Sequence, residues 1–386
     1  MKSLYYRSQN ITSKSLVLVA IASLAAIATV ELFPKQNSES RRILMRSSAQ
    51  KANDAFHVIH AHRVSAGHRM LRSQDPARTG MIGPSMSLVT SLPGHLEAKR
   101  TSANPNFAAV AVHYLLAAGA QPGDRVAIGC TGSFPAVNIA VLSAAETMGL
   151  KVKLVSSAAS SQFGANHPEL TWPEMETLLT GEGIIQTRSS AVSRGGFRDM
   201  AAGMTDDTRE LLDSAIAHSG LSLLECDSLT DSIDRRMEIF ADASDNLDCY
   251  TAYVNVGGGS ASVGGTAGND QLGRGLVLPA QHQRTDKPID SVASRFLSEG
   301  VPVINMIDVV AMARDHGLPI APTERPAVGV GGVYNSPQYR KSLASGGIVI
   351  ILMLMTCVVR PPLWVTRGLS RIGRRQVSTH EPRWMV

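Results

Sequence analysis

The stretch "RVAIGCTGSFPAVNIAVLSAAETMGLKVKLVSS", residues 125–157, decides how this chain folds. "RVAIGC" (125–130) is a short apolar run entered from the turn "PGD" (122–124). Phe134 to Gly149 then carries apolar residues at helical spacing, and "KVKLVSS" (151–157) returns to a strand. Parallel neighbours cannot be joined by a tight turn, so a strand, a helix and a strand in this order predict a parallel β-α-β unit.

The alternation extends on both sides. Asn106 to Gly119, Thr205 to Ser219 and Ser228 to Ala243 read as helices, with "LSLLEC" (221–226) between the last two. "CYTAYVNV" (249–256) is a strand running into Gly257, Gly258 and Gly259, and "VPVINM" (301–306) is a last strand before a helix from Ile307 to His316. The expected fold class is α/β, a mostly parallel sheet flanked by helices. Residues 40–72 read as a helix rich in Arg and His, and 74–106 as irregular chain broken by Gly80, Gly83, Pro84, Pro93, Gly94 and Pro105.

Two uncharged apolar runs stand near the chain ends, Ser15–Val30 after Lys14 and Leu343–Val359 before Arg360. Each is close to the shortest length that spans a bilayer, about 17 residues. Residues 36–341 hold 27 Lys and Arg against 30 Asp and Glu, a net −3, while the ends hold 10 basic and 2 acidic residues. The basic character therefore belongs to the membrane flanks and gives no reason to expect a nucleic-acid partner. Lys2, Arg7 and Lys14 precede the first run, and Arg360, Arg367, Arg371, Arg374 and Arg375 follow the second. Positive loops stay inside, so both termini are expected in the cytoplasm and the central domain outside the cell inner membrane. Lys35, Arg41 and Arg42 run against that rule, and Ala26-Ile27-Ala28 also fits a signal-peptide cleavage site.

The expected organisation is a cytoplasmic N-terminus and signal anchor (1–35), a helical stalk (36–74), an extracytoplasmic α/β domain (75–340), a transmembrane segment (341–360) and a basic cytoplasmic tail (361–386). Cys130, Cys226 and Cys249 fall in the outer domain, so one internal disulfide at most is expected there, and Cys357 lies in the second apolar run. There is no C-x-x-C pair. His57, His60, His62 and His68 have only Asp54 as a neighbouring carboxylate and read as stalk-surface residues, so no metal and no cofactor is expected.

Ligands of open parallel sheets bind at the carboxyl ends of the strands, where "GCTGS" and "NVGGGSASVGG" fall. Glycines let backbone amides approach an anion, so Gly132, Ser133, Asn255, Gly257, Gly258 and Gly259 are candidate carboxylate binders. The pattern is neither a Walker loop nor G-x-G-x-x-G. Ser133 reads either as the helix cap ahead of Pro135 or as a nucleophile, although Pro135 replaces the last glycine of a nucleophile elbow. His167 and Asp199 are the residues that would complete a triad with it. Lys99, Arg100, Asn104 and Asn106 in "GHLEAKRTSANPNF" (94–107) offer further donors, or form a solvated loop. From Arg41 to Arg100 there are 10 basic and 3 acidic residues, a bias suited to a polyanion, to lipid headgroups, or to a plain solvated face.

Five blocks, "TGMIGPSMSLVTSLPGHLEAKRTSANPNFAA", "GSFPAVNIAVLSAAE", "SSAASSQFGANHPELTWPEME", "YVNVGGGSASVG" and "GVPVINM", in this order between about Gly80 and Tyr334, resemble the poly-gamma-glutamate system protein family. The resemblance implies a membrane protein working beside the ligase and membrane subunits that make and export poly-gamma-glutamate. Its blocks cover Lys99, Asn104, Asn106, Ser133, Asn166 and the glycines 257–259. Expected partners are the polymer, the bilayer and those membrane subunits. Two other readings stay open. One is an extracytoplasmic hydrolase or transpeptidase acting on the polymer, with Ser133 or Cys130 as nucleophile. The other is a structural scaffold of the synthase complex.

Overall fold

The computed structural model describes residues 13–32, 39–241, 246–284, 287–335 and 341–359. In chain order its helices are α1 (Ser13–Leu32), α2 (Glu39–Ser65), α3 (Leu96–Ser102), α4 (Phe107–Ala117), α5 (Pro135–Thr147), α6 (Trp172–Gly181), α7 (Asp206–His218) and α8 (Leu229–Ala241), then α9 (Ser260–Val263), α10 (Gly265–Leu272), α11 (Pro279–His282), α12 (Val292–Ser298), α13 (Val309–Asp315) and α14 (Lys341–Val359). The strands are β1 (Arg125–Thr131), β2 (Lys151–Ser157), β3 (Asn166–His167), β4 (Leu170–Thr171), β5 (Ala191–Ser193), β6 (Tyr250–Val256), β7 (Gly275–Val277) and β8 (Val303–Met306).

Two units divide the chain: residues 1–37 together with 337–386, and residues 38–336. In the first, α1 and α14 approach closely where both are small-residue-rich, the Cβ position of Gly347 falling 3.1 Å from Ala26 Cβ. The Ser15–Leu32 stretch is long and apolar enough to cross a membrane, with mean hydropathy 2.2, and none of it is buried. Ser342–Val358 is also apolar but shorter. The basic flanks Lys2, Arg7, Lys35 and 360–386 lie outside the described residues.

The second unit is built on a six-stranded sheet in the order β5-β2-β1-β6-β8-β7, parallel except for β7, with β3 and β4 as a separate antiparallel pair. Ile128 stands beside Leu154 on one side and Val254 on the other. Val126, Ile128 and Cys130 join a core with α2, α4 and α5, whereas Ala127 joins Tyr253, Phe240 and Phe296 beneath α8, α9 and α12. Both faces are covered, so the central strands are apolar throughout and do not alternate.

The helix expected as a stalk is part of this core. Met45, Ala49, Ala52, Phe56 and Ile59 are all 0% exposed. They are spaced three and four apart, which places them on one stripe of α2 against α4 and α5. The Arg and His residues dominate the average composition of α2, and two of the stripe's five residues are alanines, so the stripe is easily overlooked. The helix ends at Ser65, short of the expected residue 72, and Gly67 turns the chain with φ +72°. Arg63 then donates to the carbonyls of Gly80 (2.8 Å) and Ile82 (2.6 Å), fastening the following irregular segment to the domain.

Candidate functional site

From β1 the chain moves outward through β2 to β5, then returns to the other side of β1 for β6 and β8. The topological switch therefore lies between β1 and β6, and a crevice opens beyond their carboxyl ends. A cavity of about 200 Å³ occupies it, lined by Ser133 and Phe134 after β1, Ala159 and Ser161 after β2, and Gly258 and Gly259 after β6.

Glycines shape these loops for different reasons. A Cβ on Gly132 would sit 2.7 Å from the Ala158 carbonyl, so its absence lets the β1 and β2 loops touch. Gly257 has φ +86°, and a Cβ there would meet Thr131 Oγ1 at 2.7 Å. Gly258 and Gly259 line the cavity, and a Cβ on Gly258 would lie 3.0 Å from Asn269 Nδ2. The backbone N–H groups of Ser133, Gly258 and Gly259 have no hydrogen-bond partner among the described residues.

Ser133 is not the cap of α5. Phe134 holds that position without a side-chain cap, and Pro135 follows in the first turn. The helix is tied to the strand end by Asn138, whose amide donates to the Thr131 carbonyl at 2.9 Å. Ser133 Oγ accepts the Ser161 N–H at 3.0 Å and so links the β1 and β2 loops.

Beneath these loops lies Lys99, delivered by α3 and only 2% exposed. Its Nζ donates to the Ser133 carbonyl and, at 2.8 Å, to Ser161 Oγ, and it sits 4.0 Å from the Phe134 ring centroid. It has no carboxylate partner among the described residues. Burial without a counter-charge pushes its ammonium down to about 7. Ser161 is the site residue that the sequence reading missed. Nothing in "SSAASSQFG" separates one serine from the others; only the fold, by bringing α3 under the β2 loop, singles it out.

Across the cavity, Asp199 lies in a turn where Arg198, Asp199 and Ala201 all have positive φ, between +52° and +63°. Its carboxylate accepts Ser193 Oγ (2.7 Å), Ser232 Oγ (2.6 Å) and Arg236 Nη2 (2.8 Å), a buried ion pair fully enclosed by donors. Asp199 is thus unavailable to a histidine. His167 stacks on His68 with centroids 3.9 Å apart, and its Nδ1 accepts the Glu169 N–H at 3.3 Å. The Ser133–His167–Asp199 triad does not form.

Several expected ligand residues are clamps. Arg100 donates to the Gln74 carbonyl (2.8 Å) and to the Ser73 carbonyl. Asn104 Oδ1 accepts from Asn106, whose own Oδ1 accepts from Gly329 N–H (2.9 Å) and Tyr334 Oη (2.7 Å). Those bonds fasten the segment after α13 back onto α4. Asn166 donates to the Pro84 carbonyl and Thr90 Oγ1, each at 2.9 Å. Asn255 donates to the Gly257 carbonyl and to Asn305 Oδ1, each at 2.7 Å. All four asparagines are 0% exposed. Cys130 is fully enclosed in the core and burial raises its thiol well above the ordinary value, so it is no nucleophile. All four cysteines are free.

The histidine expectation is also revised. His68 is 9% exposed, not on the surface of a stalk, and its Nε2 is 3.4 Å from Glu169 Oε2. With His167 these residues bring three ligand atoms within 4.8 Å of one another, a group able to hold a metal. The Arg63 cation lies close enough to lower both imidazoles after burial has done so, which opposes a second cation there. Other depressions are larger, about 290 Å³ beside His60, Arg72 and Arg78 and about 350 Å³ beside Arg69 and His167, but neither is at the strand ends.

No family model, no curated protein and no solved structure matches this chain.

Proposed function

We propose that the chain is a membrane-anchored accessory protein of poly-gamma-glutamate synthesis, export or anchoring, whose α/β domain receives polymer carboxylates outside the inner membrane. α1 and α14 are its anchors in this reading, and the synthase's membrane subunits are its partners. One observation carries the proposal. The blocks that resemble the poly-gamma-glutamate system family are far apart in sequence, yet four of them contribute residues around one crevice: Ser91 and Lys99, Ser133 and Phe134, Ser157 and Ser161, Gly258 and Gly259.

The chemistry of that crevice suits a carboxylate. Amide N–H groups without partners bind anions by direct donation, which works in a domain whose net charge is slightly negative. Recognition is then local, of a chain end or a few side groups, and not of the polymer's whole length. The test is titration of the full chain in detergent micelles with poly-gamma-glutamate, followed by calorimetry. Saturable binding is expected, weakened at least about tenfold by Gly258→Pro, which removes one N–H donor to the carboxylate. A chain that binds no polymer sinks the proposal.

A further inference from the structure

Lys99 is a poor choice for an anion ligand: it is enclosed, burial lowers its ammonium to about 7, and its nitrogen lies against a serine hydroxyl. A buried amine beside a hydroxyl on a cavity wall is the arrangement that activates a nucleophile in Ser–Lys enzymes. The crevice is taken, as in the proposed function, to be the ligand site. We infer that Ser161 and Lys99 form an acyl-transfer pair, with Ser161 Oγ attacking the carbonyl of an amide or ester whose acyl part carries a carboxylate.

The geometry supplies each role. Ser161 lines the cavity, and its Oγ is 2.8 Å from Lys99 Nζ. The Ser133 carbonyl accepts an Nζ proton and fixes the amine's direction, and once the ammonium has lost a proton the Nζ lone pair is left for the Ser161 hydroxyl. Ser133 Oγ accepts the Ser161 amide at 3.0 Å, which leaves its own proton without an acceptor among the described residues and beside the nucleophile. On the far wall the Gly258 and Gly259 amides take the substrate carboxylate.

The step balances without any co-reactant but water or an amine. Ser161 Oγ forms a bond to the carbonyl carbon, the π pair moves to oxygen, and the hydroxyl proton passes to the neutral Lys99 nitrogen. The oxyanion is met by the Ser133 hydroxyl. Collapse restores the carbonyl and breaks the bond to the leaving nitrogen, which takes the proton from the Lys99 ammonium. An ester on Ser161 and a free amine remain. Water or a second amine attacks that ester, Lys99 again accepting the proton and returning it to Ser161, to give an acid or a new amide.

The experiment uses the full chain in detergent with two activated esters, para-nitrophenyl acetate and para-nitrophenyl hydrogen adipate, read by nitrophenolate release, intact mass and peptide mapping. Acyl groups are expected on Ser161, the adipyl ester reacting about tenfold faster through one charge-assisted hydrogen bond to its carboxylate. The rate should climb through a pH of about 7 and then level, as Lys99 loses its proton. Ser161→Ala should abolish labelling with an unchanged unfolding profile. Lys99→Met should slow it about 100-fold or more and erase the pH dependence. If Ser161→Ala does not fold, Ser161→Cys should carry the acyl group on sulfur. Acyl groups on Lys99 or Ser133, wild-type rates in Lys99→Met, equal rates for the two esters, or a folded wild type that stays unlabelled each overturn the inference. Polymer titration of the same samples separates the two readings. Polymer binding without acylation leaves the receiving role and removes the acyl transfer. Acylation without polymer binding does the reverse.

Discussion

Replacing Lys99 by Met should make the protein more stable at neutral pH, and the size of the gain follows from burial. In the unfolded chain the ammonium keeps its ordinary value of 10.5, while in the folded domain it falls to about 7. At about 1.4 kcal/mol per tenfold, that difference corresponds to about 5 kcal/mol of stability withheld while the unfolded chain holds its proton. Between these two values the unfolded state binds more protons than the folded one, so the wild-type contribution rises with pH across that window and is fully restored only above the upper value. Methionine has similar length and no proton to lose. Against this gain, the Ser133 carbonyl and Ser161 hydroxyl lose their donor, which costs about 1–3 kcal/mol. The net expectation is a variant more stable by about 2–4 kcal/mol near pH 7, a gain that shrinks and reverses toward pH 10.5. Urea unfolding of the full chain in detergent, followed through the buried Trp172, measures both proteins over that range. Parallel curves with no pH-dependent gap, or a variant weaker at neutral pH, would refute the reasoning.

Acid should act through His113, which burial, with help from the His316 and Arg41 charges, lowers to about 4. Arg41 Nη2 donates to His113 Nδ1 at 2.9 Å and needs that lone pair, so the stability present above the ordinary value of 6.5 is lost as pH falls toward 4, by up to about 3 kcal/mol. His113→Phe should flatten that part of an acid-unfolding curve. Phe56→Ala should cost about 3–5 kcal/mol in urea unfolding, because its side chain fills the α2 contact with α4 and α5; a freestanding stalk would not register the change. Gly129→Ala should cost about 1–3 kcal/mol, its new Cβ being 2.2 Å from Tyr253 Oη unless the tyrosine shifts.

The sheet was legible where period and turn chemistry agreed. Residues 151–157 are a strand in full, Thr205 is the cap of α7, and the 301–306 run holds β8. β5 and β7 were not foreseen, being three residues each with no alternation to find, and β7 is the strand that breaks the parallel rule. α12 and α6 are likewise not legible, although the Glu174 carboxylate accepts the Thr171 N–H at the start of α6. Of the site, the two glycine loops were read from the sequence and their meeting at one cavity follows from the strand order. The roles inside it were not. Asn104, Asn106, Asn166 and Asn255 look like ligand donors in sequence because the same amides that bind substrates also bind carbonyls. Only their partners, which are the chain's own carbonyls and side chains from as far as Tyr334, distinguish the two uses.

Two features at the crevice cost stability. Lys99 is buried without a counter-charge, while the other enclosed guanidinium and carboxylate at the site, Arg236 and Asp199, satisfy each other. Three non-glycine residues in the 198–201 turn hold left-handed backbone, each costing on the order of 1 kcal/mol or more. The same turn pushes Phe197 out, 59% exposed, with the Arg198 guanidinium 5.6 Å from its ring. In the proposed reading, the exposed aromatic and cation beside Gly196 and Asp199, the unpartnered amides on one wall and the amine behind a serine on the other would receive a carboxylate-bearing chain. Stability given up at a site is what the proposed ligand-binding role predicts. By that argument the lysine that weakens the fold is the residue whose removal should most clearly separate folding from function.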